Sequence, residues 1–166
     1  NGFPNRIDEI ISICSSYNIR VIEDAAEALG SKYKNNFVGT FGNINAFSFN
    51  GNKIITTGGG GMIVTNDETV ARKAKHLTTQ AKKKHKWEFM HDSIGYNYRL
   101  PNINAALGCA QLENINLILK NKKIIADEYR AILEKLNINF VTGIDNTQPN
   151  YWLNTIVLNH EKEKEV

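Results

Sequence analysis

Between Asn50 and Gly61 five of twelve residues are glycine, four of them consecutive from Gly58. Each glycine inside a helix or strand costs roughly 0.5–1 kcal/mol relative to alanine, so this stretch must be a loop. It separates two short apolar runs that read as strands, Ala46-Phe47-Ser48-Phe49 and Met62-Ile63-Val64-Thr65.

The rest of the chain organises around that loop. Ile7, Ile10, Ile11, Ile13 and Cys14 recur at near-helical spacing, and Arg20-Val21-Ile22-Glu23 reads as a short buried strand. Gly30, Asn35-Asn36 and Gly39 mark turns, with a hairpin expected around Lys34 to Phe37. Asp67 is placed to cap a helix through Val70, Ala71, Ala74 and Leu77. From His76 to Tyr98 the periodicity fails, and a polar, aromatic-dotted stretch of that length is usually functional or interfacial. After Pro101 a helical pattern runs to about Leu136, with Ile103, Ala106, Leu107, Ala110, Ile118, Ile125, Tyr129 and Leu133 on its apolar side and a break expected near Asn121. Val141 to Asn150 reads as a linker into a last strand, Tyr151 to Leu158. Helices alternating with short apolar strands predict an α/β sheet with helices packed on it.

Composition bears on partners. A chain of 166 residues, 42% hydrophobic, is long enough for one domain-sized core. The net charge of +3 is small and traces to the run Lys82-Lys83-Lys84-His85-Lys86, a pattern typical of a solvated segment, so nucleic acid is not implied. Cys14 and Cys109 lie far apart without metal-ligand spacing, and His76, His85, His91 and His160 also lack it. A disulfide framework and a metal site are therefore not expected, and a reducing cytoplasm fits. No apolar run approaches the roughly 20 residues of a membrane helix. Both ends read as cut, since the chain opens at Asn1 and its last strand is followed only by a short charged tail.

Three residues carry candidate chemistry. Asp24 follows an apolar strand at its carboxyl end, where open α/β sheets place their ligand crevice; capping of a helix through Ala25 to Leu29 is the plainer reading of that segment. Ser48, between Phe47 and Phe49, reads on pattern alone as a core or edge hydroxyl. Lys53 sits between polar loop residues and apolar Ile54-Ile55. Such surroundings can desolvate a lysine and favour the neutral, nucleophilic amine that Schiff-base chemistry requires. The run Gly58 to Gly61 fits neither common phosphate-cradle pattern, because a strand follows it.

Taken in order, Val21-Ile22-Glu23-Asp24-Ala25-Ala26-Glu27-Ala28-Leu29-Gly30-Ser31, Val38-Gly39-Thr40-Phe41-Gly42 and Phe47-Ser48-Phe49-Asn50-Gly51-Asn52-Lys53 resemble the DegT/DnrJ/StrS family of nucleotide-sugar aminotransferases. Gly59 to Asp67, Gly95-Tyr96-Asn97-Tyr98-Arg99-Leu100 and Tyr151-Trp152-Leu153-Asn154-Thr155 continue the match. The resemblance implies a fold-type-I pyridoxal-phosphate enzyme, an α/β fold with a mostly parallel large-domain sheet. On that basis residues 1–100 form part of the cofactor-binding large domain, 101–140 a long helical connection, and 141–166 the start of a small C-terminal domain. Family members are much longer, so the fragment alone is expected to be weakly active or inactive.

Residue by residue, the resemblance assigns Lys53 to the Schiff base and Asp24 to the pyridine nitrogen of pyridoxal 5'-phosphate. It places Ala26 under the ring, Ser48 on the phosphate, and Asn97 on the phosphate of a neighbouring subunit, which implies a homodimer. Glu27 stands where much of the family has a glutamine that meets the cofactor's phenolic oxygen; two anions there repel unless one is protonated. Glu27 together with Asn50-Gly51-Asn52-Lys53 resembles the branch acting on UDP-linked 4-keto-6-deoxy-N-acetyl sugars in bacterial surface-glycan synthesis, with glutamate as amino donor. The alternatives are a dehydratase of the same family, in which histidine replaces the lysine, and a non-catalytic relative.

Overall fold

The computed structural model describes residues 1–158; the charged tail with His160 lies outside them. Helix α1 (Ile7–Ser16) leads into β1 (Ile22–Asp24), a hairpin of β2 (Lys32–Tyr33) and β3 (Asn36–Phe37), and then β4 (Ile44–Ser48). After the glycine-rich loop come β5 (Gly61–Val64), α2 (Glu68–Thr78), α3 (Asn102–Glu113) and α4 (Ile115–Lys135). Three two-residue strands follow: β6 (Asn139–Phe140), β7 (Thr147–Gln148) and β8 (Ile156–Val157).

The main sheet has the order β1-β4-β5. β1 and β4 run parallel with Asp24 opposite Ala46, whereas β5 returns antiparallel, pairing Ser48 with Gly61. The glycine loop is thus the connection between two antiparallel neighbours. Gly61 must be glycine for packing reasons, since a Cβ there would lie 2.4 Å from the Phe47 carbonyl oxygen. Phe49, Ile54, Ile55 and Trp152 form the larger core, with Leu29, Ile118 and Leu119 against it; Ala25, Ala28 and Val38 form a second cluster, and Phe47 touches both.

The local chemistry explains most elements. At the hairpin, Lys34 and Asn35 both have positive φ, 46° and 66°, the condition for the tight two-residue turn whose twist matches antiparallel strands. Asp67 caps α2 by accepting from Thr69 N at 2.8 Å and Val70 N at 3.1 Å.

Five expectations change. The strand read as buried over Arg20 to Glu23 is β1, Ile22–Asp24, buried only at Glu23, with Ile22 exposed because β1 lies at the edge of the described sheet. Residues 25–29 form successive turns, not a helix: Asp24 Oδ1 accepts from Ala26 N at 3.0 Å, the local bond of an Asx turn. The break in the long helical stretch falls at Asn114, not Asn121, because the Asn114 amide donates to the Ala110 carbonyl at 2.9 Å and its backbone N–H to Gln111 and Leu112. The linker contains β7, which pairs antiparallel with β2. Tyr151 to Leu158 is not one strand either. Tyr151 has φ +50°, Trp152 turns into the core, and only Ile156–Val157 pairs, with the upstream β6.

The long stretch after α2 is ordered by backbone pairing. Thr79 bridges to Asn97 and Lys82 to His91, and His76 Nε2 meets Asp92 Oδ1 at 2.6 Å. Its tip leaves Trp87, Phe89 and Ile94 exposed. Among the described residues, no helix is long and apolar enough to cross a membrane.

Candidate active site

Asp24 ends β1, and the turns after it carry Ala26 and Glu27 over the sheet edge. These three residues line one cavity of about 360 Å³, together with Phe3, Asn5 and Ala28. The Asp24 carboxylate is exposed there, with one oxygen committed to Ala26 N. Ala26 contributes only a methyl group, so a flat ring could lie against it. Two buried alanines flank it, Ala25 and Ala28, and these anchor the turn in the core.

Lys53 reaches the same region from the glycine loop. Its backbone closes a turn onto the Asn50 carbonyl at 3.1 Å, and Ile54 and Ile55, both buried, pin the loop immediately after it. The Lys53 side chain is only 14% exposed, with Nζ 3.8 Å from Glu27 Oε1. Nζ also lies 4.0 Å from the centroid of the Trp152 ring. Glu27 therefore stands between the Asp24 cavity and the lysine amine. Ser48 sits at the root of the loop, where its Oγ accepts from Asn50 N at 3.3 Å. Among the described residues its hydroxyl proton has no acceptor, so it is available to a ligand oxygen.

Asn97 is not brought to this group. It lies on the exposed stretch after α2, bridged to Thr79, and does not line the cavity beside Asp24. The other five, Asp24, Ala26, Glu27, Ser48 and Lys53, lie on the carboxyl ends of adjacent strands or the loops that leave them. The donor set suits pyridoxal phosphate: an anion at one end, a small residue beneath, a free hydroxyl, and a shielded primary amine.

Several supporting residues escaped sequence reasoning. Glu23 is buried beneath the site and accepts from Gly39 N at 2.7 Å, Phe41 N at 3.0 Å and Gly42 N at 3.4 Å. Next to an apolar strand it reads as the edge of that strand, although Gly39 and Gly42 hint at a backbone curled around an acceptor. Asn150 donates to the Glu27 carbonyl at 2.8 Å and the Leu29 carbonyl at 2.9 Å, and its own N–H donates to Ser31 Oγ at 3.0 Å. On the other side, α3 grips the glycine loop. Gln111 donates to the Thr56 carbonyl at 2.6 Å and accepts from Thr56 N at 3.0 Å, and Asn104 donates to the Thr57 carbonyl. Nothing local in the sequence marks Asn150, Asn104 or Gln111, since the site-holding partners named here lie 47 to 123 positions away.

The family model described as the DegT/DnrJ/EryC1/StrS aminotransferase family matches residues 1–166. The chain belongs to that family. The family depends on pyridoxal phosphate, and the Bacillus subtilis relative EpsN, 45% identical over 160 residues that cover 96% of this chain and 41% of that protein, carries the name putative pyridoxal phosphate-dependent aminotransferase. This chain is 45% identical over 168 residues to the GDP-perosamine synthase of Escherichia coli O157:H7, covering 99% of itself and 44% of that protein. It is 38% identical over 135 residues to the UDP-4-amino-4,6-dideoxy-N-acetyl-beta-L-altrosamine transaminase of Campylobacter jejuni serotype O:23/36, covering 81% of itself and 36% of the relative. Among solved structures it is similar to Helicobacter pylori PseC, an aminotransferase involved in the biosynthesis of pseudoaminic acid, with a TM-score of 0.89 and 30% identity over 97% of this chain and 44% of that one. The chain thus spans less than half the length of these relatives.

Proposed function

We propose that the protein of which this chain is part transfers an amino group from glutamate to a nucleotide-linked 4-keto-6-deoxy sugar, using pyridoxal phosphate. The observation that carries the reading is the shielded Lys53 amine beside Glu27, next to a cavity lined by Asp24 and Ala26. On this reading residues 1–100 belong to the cofactor-holding large domain, 101–140 are a helical connection, and 141–166 begin a small domain.

When bound, the cofactor supplies an electron sink for the pair released as the donor's Cα proton leaves. Lys53 would hold it through Nζ, and the free carboxylate oxygen of Asp24 would face the pyridine nitrogen and favour its protonated form. Ala26 would leave room for the ring, Ser48 would donate its uncommitted proton to the phosphate, and Glu27 would meet the phenolic oxygen. Once freed, Lys53 Nζ takes the proton from the amino donor's Cα and later returns one to the product side. Asn97, apart from the site in its own chain, reaches the phosphate held by a second copy, so the working unit is a homodimer.

The nucleotide is the open choice within this reading. Glu27 and Asn50-Gly51-Asn52-Lys53 favour a UDP-linked N-acetylated sugar, whereas the 45% identity to a GDP-perosamine synthase favours a GDP-linked one. The full-length protein should be assayed with glutamate against a panel of UDP-, GDP- and dTDP-linked 4-keto-6-deoxy sugars. Lys53→Ala should lower turnover by at least about 10²- to 10⁴-fold; normal turnover in that variant would refute the proposal.

A further inference from the structure

We infer that Trp152 is a positioning residue for Lys53: its ring face, together with the Glu27 carboxylate, forms a seat in which the lysine amine rests whenever it is not bonded to a cofactor. The inference rests on the reading of Lys53 as the cofactor lysine. Nζ lies 4.0 Å from the ring centroid, inside the roughly 6 Å reach of a cation–π attraction. It also faces Glu27 Oε1 at 3.8 Å; the lysine side chain is 14% exposed, whereas Glu27 is 45% exposed and also bonded to the Asn1 amine, so the buried Trp152 face is the better shielded of the two partners. Trp152 itself is held by bonds that do not involve the lysine side chain. Its indole N–H donates to the Asn52 carbonyl and its amide to Asn150 Oδ1 at 2.9 Å, while the ring packs with Phe49, Ile54 and Ile55. The seat is therefore built in advance of the lysine's arrival.

A preformed seat biases the site's equilibrium. When the Lys53 ammonium condenses with an aldehyde, a carbon–nitrogen double bond forms and the carbonyl oxygen leaves as water with two of the three nitrogen hydrogens. The positive charge stays on nitrogen, and nothing is oxidised or reduced. Neither Lys53 nor Trp152 lines the cavity beside Asp24 and Ala26, so on this inference bonding to an aldehyde held there draws the nitrogen off the Trp152 face. The seat thus stabilises every state with a free lysine and opposes the bonded one, by about 2- to 30-fold on the usual strength of a cation–π contact.

The test uses the full-length protein stripped of cofactor and titrated separately with pyridoxal phosphate and pyridoxamine phosphate. The amine form cannot bond to Lys53, so its binding leaves the seat filled. In Trp152→Leu, pyridoxal phosphate should gain on pyridoxamine phosphate by about 2- to 30-fold. Trp152→Phe, which keeps a ring, should stay within about 3-fold of the native ratio. A purely structural Trp152 would weaken both ligands together. An unchanged ratio in Trp152→Leu, or in Trp152→Met should the leucine variant not fold, overturns the inference. Borohydride reduction of Lys53→Ala tests the underlying reading separately: cofactor locked covalently onto that variant would sink the lysine assignment whatever the Trp152 variants do.

Discussion

Glu23 illustrates how one side chain can hold a site it never enters. Its carboxylate collects three backbone N–H groups from Gly39, Phe41 and Gly42 beneath Asp24, and a buried anion is tolerable only with such donors. Glu23→Ala should destabilise the protein by about 2–4 kcal/mol in urea denaturation, and Glu23→Gln by less, because one acceptor oxygen survives. Gly39 belongs to the same unit, since at φ +85° a Cβ would lie 2.1 Å from the Phe47 ring. A second residue-scale effect lies at Asp8, where bonds from Lys34 and Tyr33 lower the carboxyl from 3.8 to about 2. A depressed carboxyl contributes stability that is complete above its unfolded value and lost as pH falls through the folded one. The native protein should therefore lose stability relative to Asp8→Asn as pH drops from about 4 to 2, with equal slopes for the two proteins counting against this account. Lys53, Asp24 and Ser48 were singled out by the family resemblance; local pattern alone made Asp24 a cap and Ser48 a core or edge hydroxyl. Glu23 was not, because its meaning lies in amides sixteen or more residues away.

At the scale of elements, those set by local hydrogen bonds were the readable ones. Asp67 announces α2, and Asp67→Ala should cost about 1 kcal/mol, read as a lowered urea midpoint, since Thr69 N and Val70 N lose their acceptor. The hairpin turn was legible from its local turn residues, and the glycine loop from glycine content alone, although the bonds that hold it come from α3. Asp24 misled because an Asx turn and a helix cap share the same first residue, and the difference rests on how Ala25 and Ala28 pack. In the helical stretch Asn114 and Asn121 offer the same side chain, but only Asn114 turns its amide back onto the helix end. Gln111 tests how far α3 holds the Lys53 loop. Gln111→Leu keeps the side-chain volume but removes both bonds to Thr56, and it should speed amide exchange at Thr56 about 10-fold or more. Unchanged exchange there would mean that Ile54 and Ile55 alone hold the loop.

Across the whole molecule, the α/β architecture was legible from alternating patterns, while the closing contacts were not. β7 and Asn150 come from a stretch that reads as linker because its strand is two residues long and its partners, Lys32–Tyr33 and the Glu27 and Leu29 carbonyls, lie more than a hundred positions upstream. Asn150→Ala leaves those carbonyls unpaired and should cost about 2–4 kcal/mol, with weaker pyridoxal phosphate binding by the full-length protein as a second readout. The same contact also sets a clock on biosynthesis. Glu27 and the asparagine that fastens its backbone are separated by 123 residues, so at about 5–20 residues per second a ribosome needs roughly 6–25 s to deliver one after the other. For that interval the turn carrying Asp24, Ala26 and Glu27 emerges without its tie, and a nascent chain should stay open to proteolysis at Ala26–Leu29 until residue 150 has cleared the ribosome.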